Sequence, residues 1–178
     1  MARATSTTGN LLPIRDCYIR VGSSVIFMYS LPTIGDTHGA DYSTENGIGR
    51  SIPTQTFQNG TTRAITWNVT FISDGESKLN QNLANLRLLQ SCTYPVDSPQ
   101  QASVPFLPPK ILKIKCGRLL GDYELCVILK SISVNWPVDV PWSSFGYIPY
   151  KFEAALSFEV VYNSADLPGQ SRILKLGL

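Results

Sequence analysis

Between Tyr150 and Tyr162, Phe152, Ala154, Leu156, Phe158, Val160 and Tyr162 fall on one face, and Lys151, Glu153, Ala155, Ser157 and Glu159 fall on the other. A period of two held this long predicts an antiparallel strand with one apolar and one wet face. Strands average ~5–6 residues, so an element twice that length points to assembly rather than chemistry. Thr62 to Ile72 shows the same pattern, with Ile65, Trp67, Val69 and Phe71 against Ala64, Thr66, Asn68 and Thr70. Its outward face is polar but uncharged. Tyr123 to Trp136 changes character midway: residues 125–129 are apolar on both faces, and beyond Lys130 the residues Ile132, Val134 and Trp136 alternate with Ser131, Ser133 and Asn135. Shorter strands are predicted at Cys17 to Val21, Val25 to Tyr29 and Lys110 to Cys116, the last with Lys113 and Lys115 outward. Trp67 and Trp136 are in phase with aliphatic neighbours and are expected in the core.

One helix interrupts the strands. From Ser77 to Cys92, Leu79, Leu83, Leu86 and Leu89 recur at the spacing of a single helical face, with Ser77 or Asp74 as N-cap and Tyr94-Pro95 as stop. The leucine stripe predicts that strands 62–72, 123–136 and 150–162 pack their apolar faces on it. Residues 31–59 read as a long glycine-bearing loop, and 96–109 as a proline-rich one. The division expected is an N-terminal arm at 1–12, one domain at 13–163 and a C-terminal tail at 164–178, with the arm and loop 31–59 ordered by neighbouring molecules.

Composition supports one ordinary core: 178 residues, 43% hydrophobic, only 16% charged, with a formal net charge of +2. That charge is too small for a nucleic-acid footprint. No run approaches the ~20 apolar residues of a membrane-spanning helix. The first ten residues lack the apolar centre of a signal peptide, so synthesis in a cytoplasm is expected. The four cysteines are widely spaced and read as small buried hydrophobes, although Cys116 and Cys126 have a spacing that allows them to face each other across adjacent strands.

The chemistry looked for is missing. His38 stands in Gly35-Asp-Thr-His-Gly-Ala-Asp41 without a serine elbow, and a single histidine with scattered cysteines forms no zinc pattern. Asn46-Gly-Ile-Gly-Arg50 lacks dinucleotide spacing. No enzyme activity, cofactor or metal is expected. Trp142, Phe145 and Tyr147 lie in the loop 137–149, where aromatics anchor protein interfaces.

The order of parts resembles a known family. A glycine-bearing loop ending Gly49-Arg50-Ser51-Ile-Pro53 leads into the strand Thr62–Ile72. The helix closing at Tyr94-Pro95 follows, and then Pro108-Pro-Lys-Ile-Leu-Lys-Ile-Lys-Cys-Gly117. The chain continues with Cys126-Val-Ile-Leu-Lys-Ser-Ile-Ser-Val-Asn-Trp136, the loop Pro141 to Pro149 and the final strand. Over roughly residues 14–162 this is similar to the tube-fold baseplate and tube-initiator (tube cap) proteins of contractile-tailed bacteriophages.

The resemblance implies a mainly β fold with one α-helix (α+β), a tail-tube-like antiparallel sandwich or barrel whose long hairpins close a six-fold ring β-barrel. It implies a virion structural protein that is made in the host cytoplasm. Such a protein initiates or extends the tail tube beside hub and tube proteins, and DNA passes its channel without specific binding. In such a ring Thr66, Asn68, Thr70, Ser131, Ser133, Asn135, Lys151, Glu153, Ser157 and Glu159 would line the lumen. Trp142, Phe145, Tyr147, His38 and Arg50 would serve contacts between subunits or rings. The chain ends too soon for the C-terminal module of many hub-adjacent relatives, which favours a tube-initiating or tube-extending ring. The alternative is a β-sandwich that binds carbohydrate or a receptor, or decorates a capsid.

Overall fold

The computed structural model describes residues 13–45, 52–97, 106–144 and 146–161. Among these residues eleven strands and one helix follow in the order β1 Ile14–Val21, β2 Ser24–Met28, β3 Thr33–Thr37, β4 Ala40–Glu45, β5 Thr54–Gly60, β6 Ala64–Ile72, α1 Glu76–Ser91, β7 Val96–Asp97, β8 Phe106–Leu107, β9 Leu112–Cys116, β10 Leu125–Asn135 and β11 Lys151–Val160. The fold class is as expected, mainly antiparallel β with one helix. Seven strands form one sheet in the order β2-β1-β9-β10-β11-β6-β3, while β4–β5 and β7–β8 are separate pairs. The sheet curls enough for β2 to approach β6, yet these two do not pair. The chain by itself therefore carries an open sheet with edges at β2 and β3 rather than a closed barrel.

One core lies on one face of that sheet. Ile19, Ile26, Ile65, Trp67, Ile114, Val127, Phe152, Leu156 and Phe158 cluster there with Leu86 and Leu89 of α1. Burying this apolar area is what holds strands and helix together. Trp67 meets Phe158 edge to face with ring centroids 6.0 Å apart, and Phe71 stacks on Phe152 at 4.9 Å.

The helix differs from its expected form in two ways. Its N-cap is Gly75, in extended backbone and with no side-chain cap bond, rather than Ser77 or Asp74. Its buried face is Leu79, Asn82, Leu86 and Leu89, and Leu83 is only half-buried. Asn82 tolerates burial because Nδ2 donates to the Ile72 carbonyl at 3.1 Å and to Ser73 Oγ at 2.9 Å. It pins the helix to the end of β6.

The change of pattern in β10 has a physical cause. Pairing with β11 runs Leu129↔Phe158 and then Ser131↔Ser157, so Lys130 is an extra residue, a β-bulge. The bulge reverses the phase. Val127 and Leu129 point to the core before it; Ile132 and Val134 pack against the core after it.

The described parts of 31–59 are mostly strand rather than loop. β3 pairs with β6 at the sheet edge, and β4 with β5 as a hairpin. Nearly every residue of that hairpin is exposed. Residues 96–109 likewise contain the short pair β7–β8. The arm 1–12, the tail 164–178, Arg50 and Phe145 lie outside the described residues.

Candidate functional site

The site is a surface rather than a pocket. β10, β11 and β6 are adjacent and antiparallel, so their outward residues fall into rows across the strands. Asn135, Glu153 and Thr70 form one row; Ser133, Ala155 and Asn68 form the next, continued on β3 by Thr33. Ser131, Ser157 and Thr66 form the third, ending at Gly35. A Cβ at Gly35 would stand 2.5 Å from Thr66 Oγ1, so a larger residue here would require the Thr66 hydroxyl to turn away. Helix α1 packs on the opposite face, with Leu86 and Leu89 in the core, and this one stays open. The structure thus brings all ten residues assigned to the lumen onto one shallow, largely polar face: Thr66, Asn68, Thr70, Ser131, Ser133, Asn135, Lys151, Glu153, Ser157 and Glu159. A depression of about 440 Å³ lies among Leu31, Asn68, Thr70, Ser133, Asn135 and Glu153.

Glu159 is half-buried. Lys130, displaced by the bulge, meets its Oε2 at 2.5 Å. That bond, then one from Thr62, holds the Glu159 carboxyl below the usual carboxylate range.

The far half of the same sheet side carries charge. Glu124 Oε1 accepts from the Tyr18 hydroxyl at 2.8 Å and from Arg20 Nη2 at 2.8 Å, and Lys113 Nζ lies 3.6 Å from Oε2. The Tyr18 bond, followed by the Arg20 and Lys113 charges, lowers the Glu124 pKa. The same bond raises the Tyr18 phenol. Nothing in the order of residues marked this knot, because Tyr18 and Glu124 are separated by most of the chain.

The aromatic group gathers at the end of the β10–β11 hairpin. Trp136 is 41% exposed rather than buried. It is in phase with the core, but the strand ends at Asn135, and its ring lies against Phe152 with centroids 4.9 Å apart. With Trp142, Tyr147, Ile148 and Pro149 it lines an apolar cleft of about 350 Å³. Tyr147 is 82% exposed and holds φ at 52°, the left-handed region that costs a bulky side chain energy. Glu76, in the first turn of α1, anchors this loop: its Oε1 accepts from Ser143 Oγ at 2.5 Å and from the Tyr150 hydroxyl at 2.8 Å. These two bonds hold the Glu76 carboxyl low.

His38 is apart from both surfaces, beyond edge strand β3, with Nε2 3.2 Å from Asp36 Oδ1. Asp36 is chiefly engaged by Arg63, whose Nε donates to Oδ1 at 2.9 Å and Nη2 to Oδ2 at 2.5 Å. Arg63, not His38, dominates the lowering of the Asp36 pKa. Among the described residues no group of three or more His, Cys, Asp or Glu is placed to hold a metal ion, and no helix is long and apolar enough to cross a membrane.

No protein-family model and no curated protein matches this sequence. Among solved structures, the chain is similar to one from the tail of an empty GTA particle, computed with helical refinement and C6 symmetry. The two share 12% identity at a TM-score of 0.39, over 83% of this chain and 92% of that one. It is also similar to a chain in the virion of a native gene transfer agent particle, at 11% identity and a TM-score of 0.35, over 83% of this chain and 96% of that one. Likenesses at these scores assign neither fold nor role to the present chain.

Proposed function

We propose that this chain is a structural subunit of a phage-type tail, one of six copies whose β10–β11 hairpins close a ring that initiates or extends the tube beside the baseplate. The observation that carries the reading is the two-sided character of β6, β11 and β10. One face is sealed by the core and α1, and the other is a broad, shallow surface mostly of short hydroxyl and amide side chains, with Lys151, Glu153 and Glu159 among them. A lumen needs such a face, because tight non-specific DNA binding requires many Lys or Arg contacts to phosphate. The open edges at β2 and β3 fit the same reading, since exposed edges invite pairing and a closed ring removes them. In it the chain has no catalytic role and takes no cofactor. Tyr147, Trp142 and the exposed β4–β5 hairpin contact neighbouring subunits or rings, with His38, Arg50 and Phe145.

The test is solution mass followed by labelling. Native mass measurement should give a six-fold ring or longer tubes. In a Cys126→Ser background, cysteines at Thr66 and Ser133 should react poorly with a bulky thiol reagent once the ring has formed. A stable monomer with freely labelled positions would overturn the proposal. The cleft of Trp136, Trp142 and Tyr147 favours one other reading, a carbohydrate-binding module, since aromatic faces hold sugar rings. Saturable quenching of tryptophan fluorescence by oligosaccharides, with the chain remaining monomeric, would establish that instead.

A further inference from the structure

We infer that Cys17 and Cys116 are a redox pair, two thiols in a reducing compartment that become a single cross-strand disulfide in an oxidising one. The pairing of β1 with β9 sets Cys17 directly opposite Cys116. The neighbouring pair, Asp16 and Gly117, is hydrogen-bonded, with Gly117 N donating to the Asp16 carbonyl at 2.7 Å. Antiparallel pairs alternate, so Cys17 and Cys116 occupy a non-hydrogen-bonded pair, where Cα atoms approach to about 4.5 Å. That lies inside the range of roughly 4.4–6.8 Å that a disulfide spans. Both side chains point to the buried face, and the two Sγ atoms stand 2.8 Å apart. The pairing foreseen from spacing, Cys116 with Cys126, does not occur: Cys126 faces Lys113 across the ladder. Cys92 is occupied elsewhere, donating to the Leu88 carbonyl at 3.2 Å.

The chemistry balances with a small-molecule disulfide such as oxidised glutathione as oxidant. One cysteine, as thiolate, attacks a glutathione sulfur and releases one glutathione thiolate. The other cysteine, losing its proton, attacks the protein-side sulfur of the mixed disulfide and releases the second. Two cysteine thiols are oxidised to one disulfide, one glutathione disulfide is reduced to two thiols, and the two cysteine protons end on them. In the folded protein burial keeps the Cys17 thiol neutral, so exchange proceeds through local opening of β1 from β9. The linkage fastens the outer ribbon β1–β2 to the rest of the sheet. It joins positions 99 residues apart, a span over which a cross-link removes much unfolded-chain entropy.

The test is refolding of the full chain from denaturant in a glutathione redox buffer, where burial does not limit access. The products are trapped by alkylation and mapped as peptides. The expected product has one disulfide, between Cys17 and Cys116, with Cys92 and Cys126 alkylated. Its midpoint of thermal unfolding should rise on the order of 10 °C above that of the reduced protein. A Cys92→Ser, Cys126→Ser variant should form the same linkage. Four alkylated thiols, stable glutathione adducts at Cys17 or Cys116, or linkage through Cys92 or Cys126 would each overturn it.

Discussion

The two halves of the sheet are built alike and finished differently. β6, β11 and β10 on one side, and β1 and β9 on the other, send alternate residues into the same core. Their outward faces diverge. The first presents Thr66, Asn68, Ser131, Ser133 and Asn135, with Glu153 among them. The second presents Tyr18, Arg20 and Lys113, drawn together around Glu124. Charges that satisfy one another within the chain fix the chain's own shape. The first face is mostly short uncharged side chains, and its ion pair, Lys130 with Glu159, sits at the bulge, so the rest of it carries few internal ties. The difference therefore separates a half that secures the fold from a half that offers a surface.

That contrast fails first if the halves do not share one core. Leu86 is buried in the cluster that joins them, and Leu86→Asp places an unpaired carboxylate there. We expect a loss of about 4 kcal/mol, read from urea denaturation. Tryptophan fluorescence and far-ultraviolet circular dichroism should move in one coincident transition. Separate transitions would show two independently stable halves.

The next effect is confined to the edge of the neutral half. Arg63 is buried at 3% exposure and its carboxylate partner is Asp36, so Asp36→Ala strands a buried cation. The expected cost is about 2–3 kcal/mol, discounted because Asp36 is partly in water. Hydrogen exchange should show β3 losing protection while β1 and β9 keep theirs.

These substitutions also mark how far the chain could be read without its structure. β6, β9 and β11 were legible because each has one buried face, and alternation reports burial. β4 and β5 were not, because the hairpin buries neither face; Tyr42 and Phe57 meet with ring centroids 5.7 Å apart and both remain exposed. β10 was legible as two patterns, but the bulge at Lys130 that divides them depends on its partner strand. The polar face emerged residue by residue, since strand period alone assigns it. The Glu124 knot, the Asp36–Arg63 pair and the Cys17–Cys116 contact join residues distant in the chain, and no spacing predicts such partners.

The charged half can be sharpened by pH. Glu124 has its pKa lowered in the folded protein, first by the Tyr18 hydroxyl and then by Arg20 and Lys113. A carboxyl held low in the folded state adds stability that is present above its unfolded pKa, about 4.3. That stability is lost as pH falls through the lower folded value. Glu124→Gln should cost up to about 1 kcal/mol at neutral pH, the scale of a partly exposed ion pair. It should also flatten the acid limb of a stability–pH curve measured by urea denaturation. An acid limb identical to that of the parent would show that the knot contributes nothing to folding.

The smallest effect on stability carries the largest consequence for the proposed role. Ser131 and Ser133 are both exposed, on the outward face of β10, and replacing them with arginine should change stability by less than about 0.5 kcal/mol each. In a six-fold ring, however, the two substitutions would place twelve guanidinium groups around the lumen, each able to pair with phosphate. DNA should then be retained, and its release should speed up steeply with added salt as counterions compete for the same phosphates. Asp16→Arg, which adds an exposed guanidinium to β1 in the charged half, should leave release unchanged. The paired design matters because arginines anywhere on a particle can attract DNA, whereas retention that follows β10 and ignores β1 locates the passage. Salt-independent, normal release from the Ser131→Arg, Ser133→Arg particle would place the neutral face outside the channel.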